Sequence, residues 1–172
     1  ACALQPGQVG YGCNLAVRKD TLWQVGGFNP DYYGDTQLLP YVGDGECGLA
    51  RKVHEAGFLV WYAPEAWLYH KVPPFRMTLD YQQQRARLMG IERVYRLYRY
   101  ISRNPVRLLL ACAGFLAKHV SHRVLSWMVP RQSRGWYRHR VSSAGYSESI
   151  LQIERLLTSR KLRLHTAAAK YF

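Results

Sequence analysis

Two acidic residues, Asp44 and Glu46, stand in the glycine-rich segment 43–48. Glu46 lies where apolar residues at helical spacing predict the start of a helix, and a helix N-terminus stabilises an ionised carboxylate. The small flanking residues would let a substrate approach closely, so a carboxylate here could act as a general base on a hydroxyl group. Such residues are also common helix caps. From local sequence alone, capping is the simpler interpretation.

His70 is the next residue that could do chemistry, because it ends a short apolar segment and precedes Lys71. It could bind a metal ion or a phosphate, although a single histidine is more often a hydrogen-bonded structural residue. His119 and His122 are three residues apart, but no third metal ligand is evident. The four cysteines, at positions 2, 13, 47 and 112, have no zinc-site spacing and indicate reduced thiols.

The acidic segment is expected to lie among short helices and strands. A helix is predicted over 17–25, closed by Gly26-Gly27, and a second over 46–56, closed by Gly57. An apolar and aromatic run predicts a buried strand at 58–62, and a second short strand is predicted at 66–70.

The rest of the chain is predicted to be mostly helical. A long helix is expected over 77–101, and Asn104-Pro105 interrupts it. Residues 130–147 are interpreted as a basic linker that contains glycine and serine, and residues 147–164 as a last helix.

The most apolar stretch is 106–129, but its uncharged run, 108–117, has only ten residues. Because about 20 apolar residues are needed to cross a bilayer, a spanning helix is not expected. An amphipathic helix lying in a membrane interface and an ordinary helix packed on the domain remain equally open interpretations.

Charge is distributed very unevenly along the chain. Residues 1–86 hold 7 Lys/Arg and 8 Asp/Glu, whereas residues 87–172 hold 17 and 3, so the two halves carry −1 and +14. The basic half indicates an anionic partner, either an anionic membrane surface or nucleic acid. A nucleic-acid-binding module is the weaker alternative, because no helix-turn-helix, ribonucleoprotein or zinc-finger pattern accompanies the charge.

Five segments in a fixed order resemble the acceptor-side half of the family 2 glycosyltransferases, which have the GT-A fold. The family pattern runs Gly-x-Asn-x-Ala-x-Arg, Gly-Gly-Phe, an acidic helix start, an Ala-Gly-aromatic turn, and Pro-Glu-Ala followed by His. The matching segments of this chain are 12–18, 26–28, 43–49, 56–58 and 64–70. The order of the matches is far more specific than any one of them.

This resemblance implies an α/β fold, with a partial GT-A (Rossmann-like) glycosyltransferase domain followed by a mostly helical C-terminal extension. Residues 1–76 would be the acceptor-side half of the catalytic domain, with the N-terminal nucleotide-binding half missing. Residues 77–172 would be a basic, amphipathic helical extension.

The resemblance also implies roles for individual residues. Glu46 matches the position of the catalytic base, with Asp44 as the alternative, because Gly45 stands where the family often has an acid. His70 would complete the shell of a divalent metal, Mg²⁺ or Mn²⁺. The main Asp-x-Asp ligands of that metal would lie outside this chain, which contains no such motif. Further substrate-binding residues are expected at Asn14, Arg18, Gly45 and Arg85.

The implied activity is that of an inverting hexosyltransferase. A nucleotide-sugar donor and a sugar or lipid-linked acceptor would be its substrates, in cell-surface polysaccharide or glycolipid synthesis. The expected location is cytoplasmic, peripheral at the inner face of the plasma membrane, with an anionic membrane surface and no nucleic acid as partner. A non-catalytic scaffold derived from a transferase is a further alternative.

Overall fold

The computed structural model describes residues 2–5, 8, 12–30 and 41–168. These residues form two compact units. The first draws its described residues chiefly from 2–30 and 43–71, and the second draws its own from 41–42 and 72–167.

The first unit contains two helices and a minimal sheet. Strand β1 (Cys2–Ala3) pairs antiparallel with β2 (Trp61–Tyr62), and the helices are α1 (Lys19–Gln24) and α2 (Gly45–Glu55). A 3₁₀ turn spans Gly12–Asn14. The predicted helix over 46–56 is confirmed to within one residue at each end.

Gly57 ends α2 for a clear stereochemical reason. Its φ is +81°, a left-handed conformation that glycine adopts without steric cost. The amide of Phe58 donates to the carbonyl of Val53 (3.0 Å) and that of Gly57 to the carbonyl of His54 (3.0 Å). This hydrogen-bond pair is the Schellman motif, so the helix end predicted at Gly57 is confirmed.

The second unit is a helical bundle, entered through a 3₁₀ turn at Pro74–Met77. Its helices are α3 (Leu79–Arg96), α4 (Pro105–Met128), α5 (Arg134–Thr158) and α6 (Arg160–Ala167), and a π-helical turn, Leu97–Ile101, follows α3. Helix α5 packs against both α3 and α4. The core is formed by buried side chains from all of these segments: Val94, Tyr98, Leu108, Ile153, Leu156 and Leu162.

Helices α3 and α5 approach closely because both carry small residues where they cross. A Cβ added to Gly145 would lie 2.9 Å from the carbonyl oxygen of Ala86, and one added to Gly90 would overlap the carbonyl of Gly145. The hydroxyl of Ser149 donates to the carbonyls of Gly90 (3.1 Å) and Gly145 (3.0 Å). Only glycine at 90 and 145 allows this backbone separation.

The α/β class expected from the resemblance is wrong. Among the described residues, β structure is limited to the two-residue strands β1 and β2, whereas a Rossmann-like domain needs several parallel strands in one sheet. The predicted strand at 58–62 shrinks to Trp61 and Tyr62, whose side chains are 60% and 55% exposed rather than buried. Residues 66–70 form no strand and are exposed. An apolar run becomes a strand only where a neighbouring backbone accepts its hydrogen bonds.

The linker predicted over 130–147 is also wrong, because Arg134 begins α5. The side chain of Ser133 accepts a hydrogen bond from the amide of Trp136 (3.1 Å) and caps the helix. Gly145, which suggested a flexible segment, is instead required for the close crossing with α3.

Candidate active site at the start of helix α2

Helix α2 starts through an unusual backbone conformation at Gly45. Its φ is +48°, in the left-handed region, and among the described residues no atom outside the adjoining backbone lies within 4 Å of the position where a Cβ would be. The amides of Cys47 (3.0 Å) and Gly48 (3.3 Å) donate to the carbonyl of Asp44. A residue with a side chain would be disfavoured here by about 1 kcal/mol. The conformation therefore explains why glycine stands where an acid is expected.

Asp44 is almost fully buried, with 4% of its surface exposed. Its Oδ1 accepts a hydrogen bond from Nδ2 of Asn29 (2.9 Å), and Asn29 itself is completely buried. The Asp44 side chain makes no capping hydrogen bond to α2. Because a buried carboxylate needs polar partners, Asn29 holds Asp44 in place. The simple capping interpretation does not apply to the side chain of Asp44.

Gly48 leaves the room that this polar pair occupies. A Cβ added to Gly48 would lie 2.5 Å from Nδ2 of Asn29 and 2.6 Å from Cγ of Asp44. Asn29 is not among the site residues expected from the sequence. The signal was its position directly after Gly-Gly-Phe, one of the segments of the resemblance.

Glu46 is in the first turn of α2 and is only partly buried. Its side chain makes no hydrogen bond or ion pair with the residues that the structure describes. The N-terminal end of α2 favours a negative charge on it. Of the two acids, Glu46 is thus the more exposed.

Two segments of the resemblance that are distant in sequence meet at α2. Lys52 donates a hydrogen bond from Nζ to the carbonyl of Gly27 (3.0 Å), and Asn29 donates to Asp44. Both contacts join the Gly-Gly-Phe-Asn segment to the acidic helix. This is the tertiary arrangement that a site shared by both segments requires.

The first segment of the resemblance contacts the Pro-Glu-Ala segment. The side-chain amide of Asn14 donates to the carbonyl of Ala66 in the same unit. Arg18 is exposed at the N-terminal end of α1, and its side chain makes no hydrogen bond or ion pair with the residues that the structure describes. Asn14 therefore has a structural partner, whereas Arg18 presents its guanidinium at the surface.

His70 is exposed and lies outside regular secondary structure. Among the described residues, no group of three or more His, Cys, Asp or Glu side chains could hold a metal ion. One imidazole is too few donors for Mg²⁺ or Mn²⁺, which favour several oxygen ligands. The described residues alone do not form the expected metal site. Arg85, another candidate, lies exposed on α3 in the second unit.

A histidine pair that the sequence did not reveal joins α4 to α5. Nδ1 of His122 lies 2.9 Å from Nδ1 of His139, and the His122 ring stacks on Tyr146 with centroids 5.6 Å apart. Burial, followed by the charges of His139, Arg138 and Lys118, lowers the pKa of His122 below 6.5. The sequence places His119 and His122 three residues apart on one helix, but the partner of His122 is His139 on α5.

Comparisons of the chain with protein-family models, with curated proteins and with solved structures found no match. The resemblance to family 2 glycosyltransferases therefore rests on the ordered segments of the sequence. The role of each residue at the start of α2 remains a prediction.

Proposed function

We propose that this chain supplies the acceptor side of an inverting glycosyltransferase, with Glu46 as the general base. The observation that carries the proposal is the arrangement around α2. Asp44 is buried and held by Asn29, while Glu46, two residues later, is partly exposed in the first helical turn. Asp44 thus stabilises the start of the helix, whereas the carboxylate of Glu46 is accessible.

The proposed reaction is a single displacement. The carboxylate of Glu46 takes the proton from an acceptor hydroxyl, and the oxygen attacks the anomeric carbon of a nucleotide sugar. The bond from that carbon to the diphosphate breaks, and the nucleoside diphosphate leaves with the bonding electron pair. A positioned base of this kind contributes about 10²- to 10⁴-fold to the rate.

Asp44 acts in this proposal as a positioning residue. Its carbonyl accepts the first hydrogen bonds of α2, and its buried side chain ties the helix start to Asn29. Gly45 adds no side chain beside Glu46, and Gly48 leaves the space that the Asp44–Asn29 pair occupies. These contacts set the direction in which Glu46 leaves the helix.

The donor would be bound largely by residues outside this chain. These residues would include the Asp-x-Asp ligands of Mg²⁺ or Mn²⁺, which would offset charge on the leaving diphosphate. His70, Asn14, Arg18 and Arg85 remain the candidates here for contacts to metal, donor or acceptor. A lipid-linked acceptor, in polysaccharide or glycolipid synthesis at the inner face of the plasma membrane, is part of the same proposal.

Substitution of the two acids tests the assignment. The full polypeptide that contains this chain would be assayed for nucleoside diphosphate release from a panel of UDP-, GDP- and dTDP-sugars with a hydroxyl acceptor. We expect Glu46→Gln to lower kcat by about 10²-fold or more, since it removes the base but keeps the shape. Asp44→Asn should lower the thermal stability of the first unit more than Glu46→Gln does.

Glu55→Gln is the matched control, because Glu55 ends the same helix and pairs with Arg51 at the surface (2.7 Å). It should retain the parental rate. Full activity of Glu46→Gln, together with inactive but folded Asp44→Asn, would reverse the assignment. Sugar transfer that survives both substitutions would exclude this helix as the source of the base.

A further inference from the structure

Helix α4 carries a broad apolar surface that faces away from the bundle. At 100° per residue, this surface covers an arc of about 120°, and every residue directed into the arc is apolar. We call it the α4 apolar face. Its large, exposed members include Val106, Leu110, Leu116, Val120, Trp127 and Met128.

The opposite side of α4 is the one that packs in the bundle. Leu108 is buried in the core, and Phe115 packs against it. His119 lies 3.0 Å from the carbonyl of Ser143, and His122 contacts His139, both on α5. The α4 apolar face is therefore not the core face of this helix. It includes Leu110 and Trp127, which are 68% and 75% exposed.

Positive charge borders the apolar face. Arg123 lies beside one edge of the arc, Arg107 and Lys118 lie beyond the other, and all three are exposed. The turn after α4 and the first turns of α5 add exposed Arg131 and Arg134. Between Glu92 and Glu148 the sequence has eleven Lys or Arg and no Asp or Glu. The ligand that fits is apolar at its centre and anionic at its surface.

We propose that the α4 apolar face docks on an anionic phospholipid bilayer, with α4 lying parallel to the membrane plane. The apolar side chains enter the interface, and the flanking arginines and lysine contact lipid phosphates. Trp127 at the end of the face suits the headgroup level, where indole rings concentrate. The proposed membrane-binding surface is thus one side of helix α4.

Charge argues against a second copy as the occupant. Helix α4 contains Arg107, Lys118 and Arg123 but no acidic residue, so two such faces pressed together would bring like charges close. Anionic lipid neutralises the same charges. The membrane therefore fits the chemistry around the face better than self-association does.

The packing of α4 argues against a spanning helix. Pro105–Met128 has 24 residues and a mean hydropathy of 1.2 over its most apolar window, so length and composition alone would allow it to cross a membrane. However, its other side contacts α5, which carries Arg138, Glu148 and Arg155. If α4 crossed the bilayer, these charged residues of α5 would be exposed to lipid, or α5 would have to separate from α4.

Vesicle co-sedimentation of this full chain tests the docking without any enzymatic turnover, so it can fail or succeed independently of the transferase proposal. We expect binding to phosphatidylcholine vesicles that contain phosphatidylserine. Leu116→Ser combined with Val120→Ser should weaken it at least about tenfold, since two large apolar side chains leave the interface. Arg107→Gln combined with Arg123→Gln, made in the parent chain, should weaken vesicle binding by a factor of about 5 for each charge removed.

Leu151→Ser with Leu164→Ser is the matched control, because both leucines are exposed on other helices, at 43% and 63%. Each variant is checked for helical content by circular dichroism. Equal binding with and without phosphatidylserine would overturn the proposal. Unchanged vesicle binding of the folded Leu116→Ser/Val120→Ser variant would also overturn it. So would a variant that changes the mass of an oligomer in solution but not vesicle binding, because the face would then bind a second copy of the chain.

Depth measurements test the orientation. Nitroxides are placed at Val106→Cys and Met128→Cys in a chain whose four native cysteines are replaced, and their depths are measured by relaxation with oxygen and nickel. A parallel helix puts both labels at the same shallow depth. Labels on opposite sides of the bilayer, or one at its centre, would contradict the parallel orientation.

Discussion

At the scale of single residues, the candidate site depends on a division between two acids that are close in sequence. Asp44 is buried with Asn29, and Glu46 is partly exposed at the helix start. This difference in burial between Asp44 and Glu46 depends on two glycines, each for its own reason. Gly45 is needed for its left-handed backbone, and Gly48 for the space that it leaves to the polar pair.

Gly48→Ala should destabilise the first unit. The added methyl group would overlap both Asp44 and Asn29, which are buried and cannot move into solvent. Overpacking of this kind costs about 1–3 kcal/mol. The measurement is hydrogen exchange of the α2 amides, which should become faster.

Gly45→Ala serves as the comparison for that experiment. Its added methyl group meets open space, and only the backbone is strained, by about 1 kcal/mol. If the two variants exchange at equal rates, the space around the Asp44–Asn29 pair is not the reason for glycine at 48.

The histidine pair makes the stability of the second unit depend on pH. Burial lowers the pKa of His122 below its unfolded value of 6.5, and His139, Arg138 and Lys118 add to the effect. His119 and Tyr146 also lie on the elements that surround it. The unfolded chain then binds more protons than the folded one just below pH 6.5, so stability falls as pH decreases through that value.

Urea denaturation from pH 8 to pH 5 should show this loss, followed by circular dichroism at 222 nm. His122→Phe should flatten the dependence, because phenylalanine can stack on Tyr146 but cannot take a proton. His165→Phe is the control, since Nε2 of His165 donates a hydrogen bond to the carbonyl of Tyr41 (2.9 Å), away from the His122–His139 pair in sequence. A pH profile that His122→Phe leaves unchanged would contradict the assignment.

At the scale of elements, the crossing of α3 and α5 organises the second unit. Gly90 and Gly145 let the two backbones meet, and Ser149 fills the contact with hydrogen bonds to both carbonyls. Arg93 donates to the same hydroxyl (2.9 Å), so the crossing is polar as well as close. Side chains at positions 90 and 145 would separate the helices along their length.

Gly90→Ala should therefore destabilise the bundle, although alanine is the better helix former. The new methyl group would collide with the backbone of Gly145, which cannot rotate away. We expect a loss of about 1–3 kcal/mol in the free energy of unfolding, measured by urea denaturation.

Gly114→Ala is the matched control within α4, since no described atom outside the adjoining backbone of α4 lies within 4 Å of the added Cβ. It should stabilise the bundle by up to about 1 kcal/mol through helix propensity alone. Equal stabilisation by both substitutions would show that α3 and α5 do not approach as closely as described.

At the scale of the whole molecule, the two units differ in how their apolar residues are used. The second unit buries a contiguous core, whereas segment 59–69 of the first unit exposes Trp61, Trp67 and Tyr69. Large exposed apolar groups mark surfaces that bind other molecules or further polypeptide. The same principle applies to the α4 apolar face, where the bordering positive charge supports the proposed anionic lipid partner.

The sequence determined those features that have local causes. Glycine at 57 ends α2 because it alone enters the left-handed region cheaply, and Asn104-Pro105 starts α4 by capping and by a preset φ. The charge asymmetry is a property of composition. The acidic pair and its place at a helix start were also visible as a pattern.

Only the tertiary structure decided which surfaces are buried, because burial depends on contacts between segments that are distant in the chain. It buried Asp44 beside Asn29, paired β2 with the two-residue strand β1, and turned one apolar side of α4 outward while Leu108 entered the core. It also made the small residues of α5 a helix contact rather than a linker. Local pattern specifies the elements, and their mutual packing specifies what each face can bind.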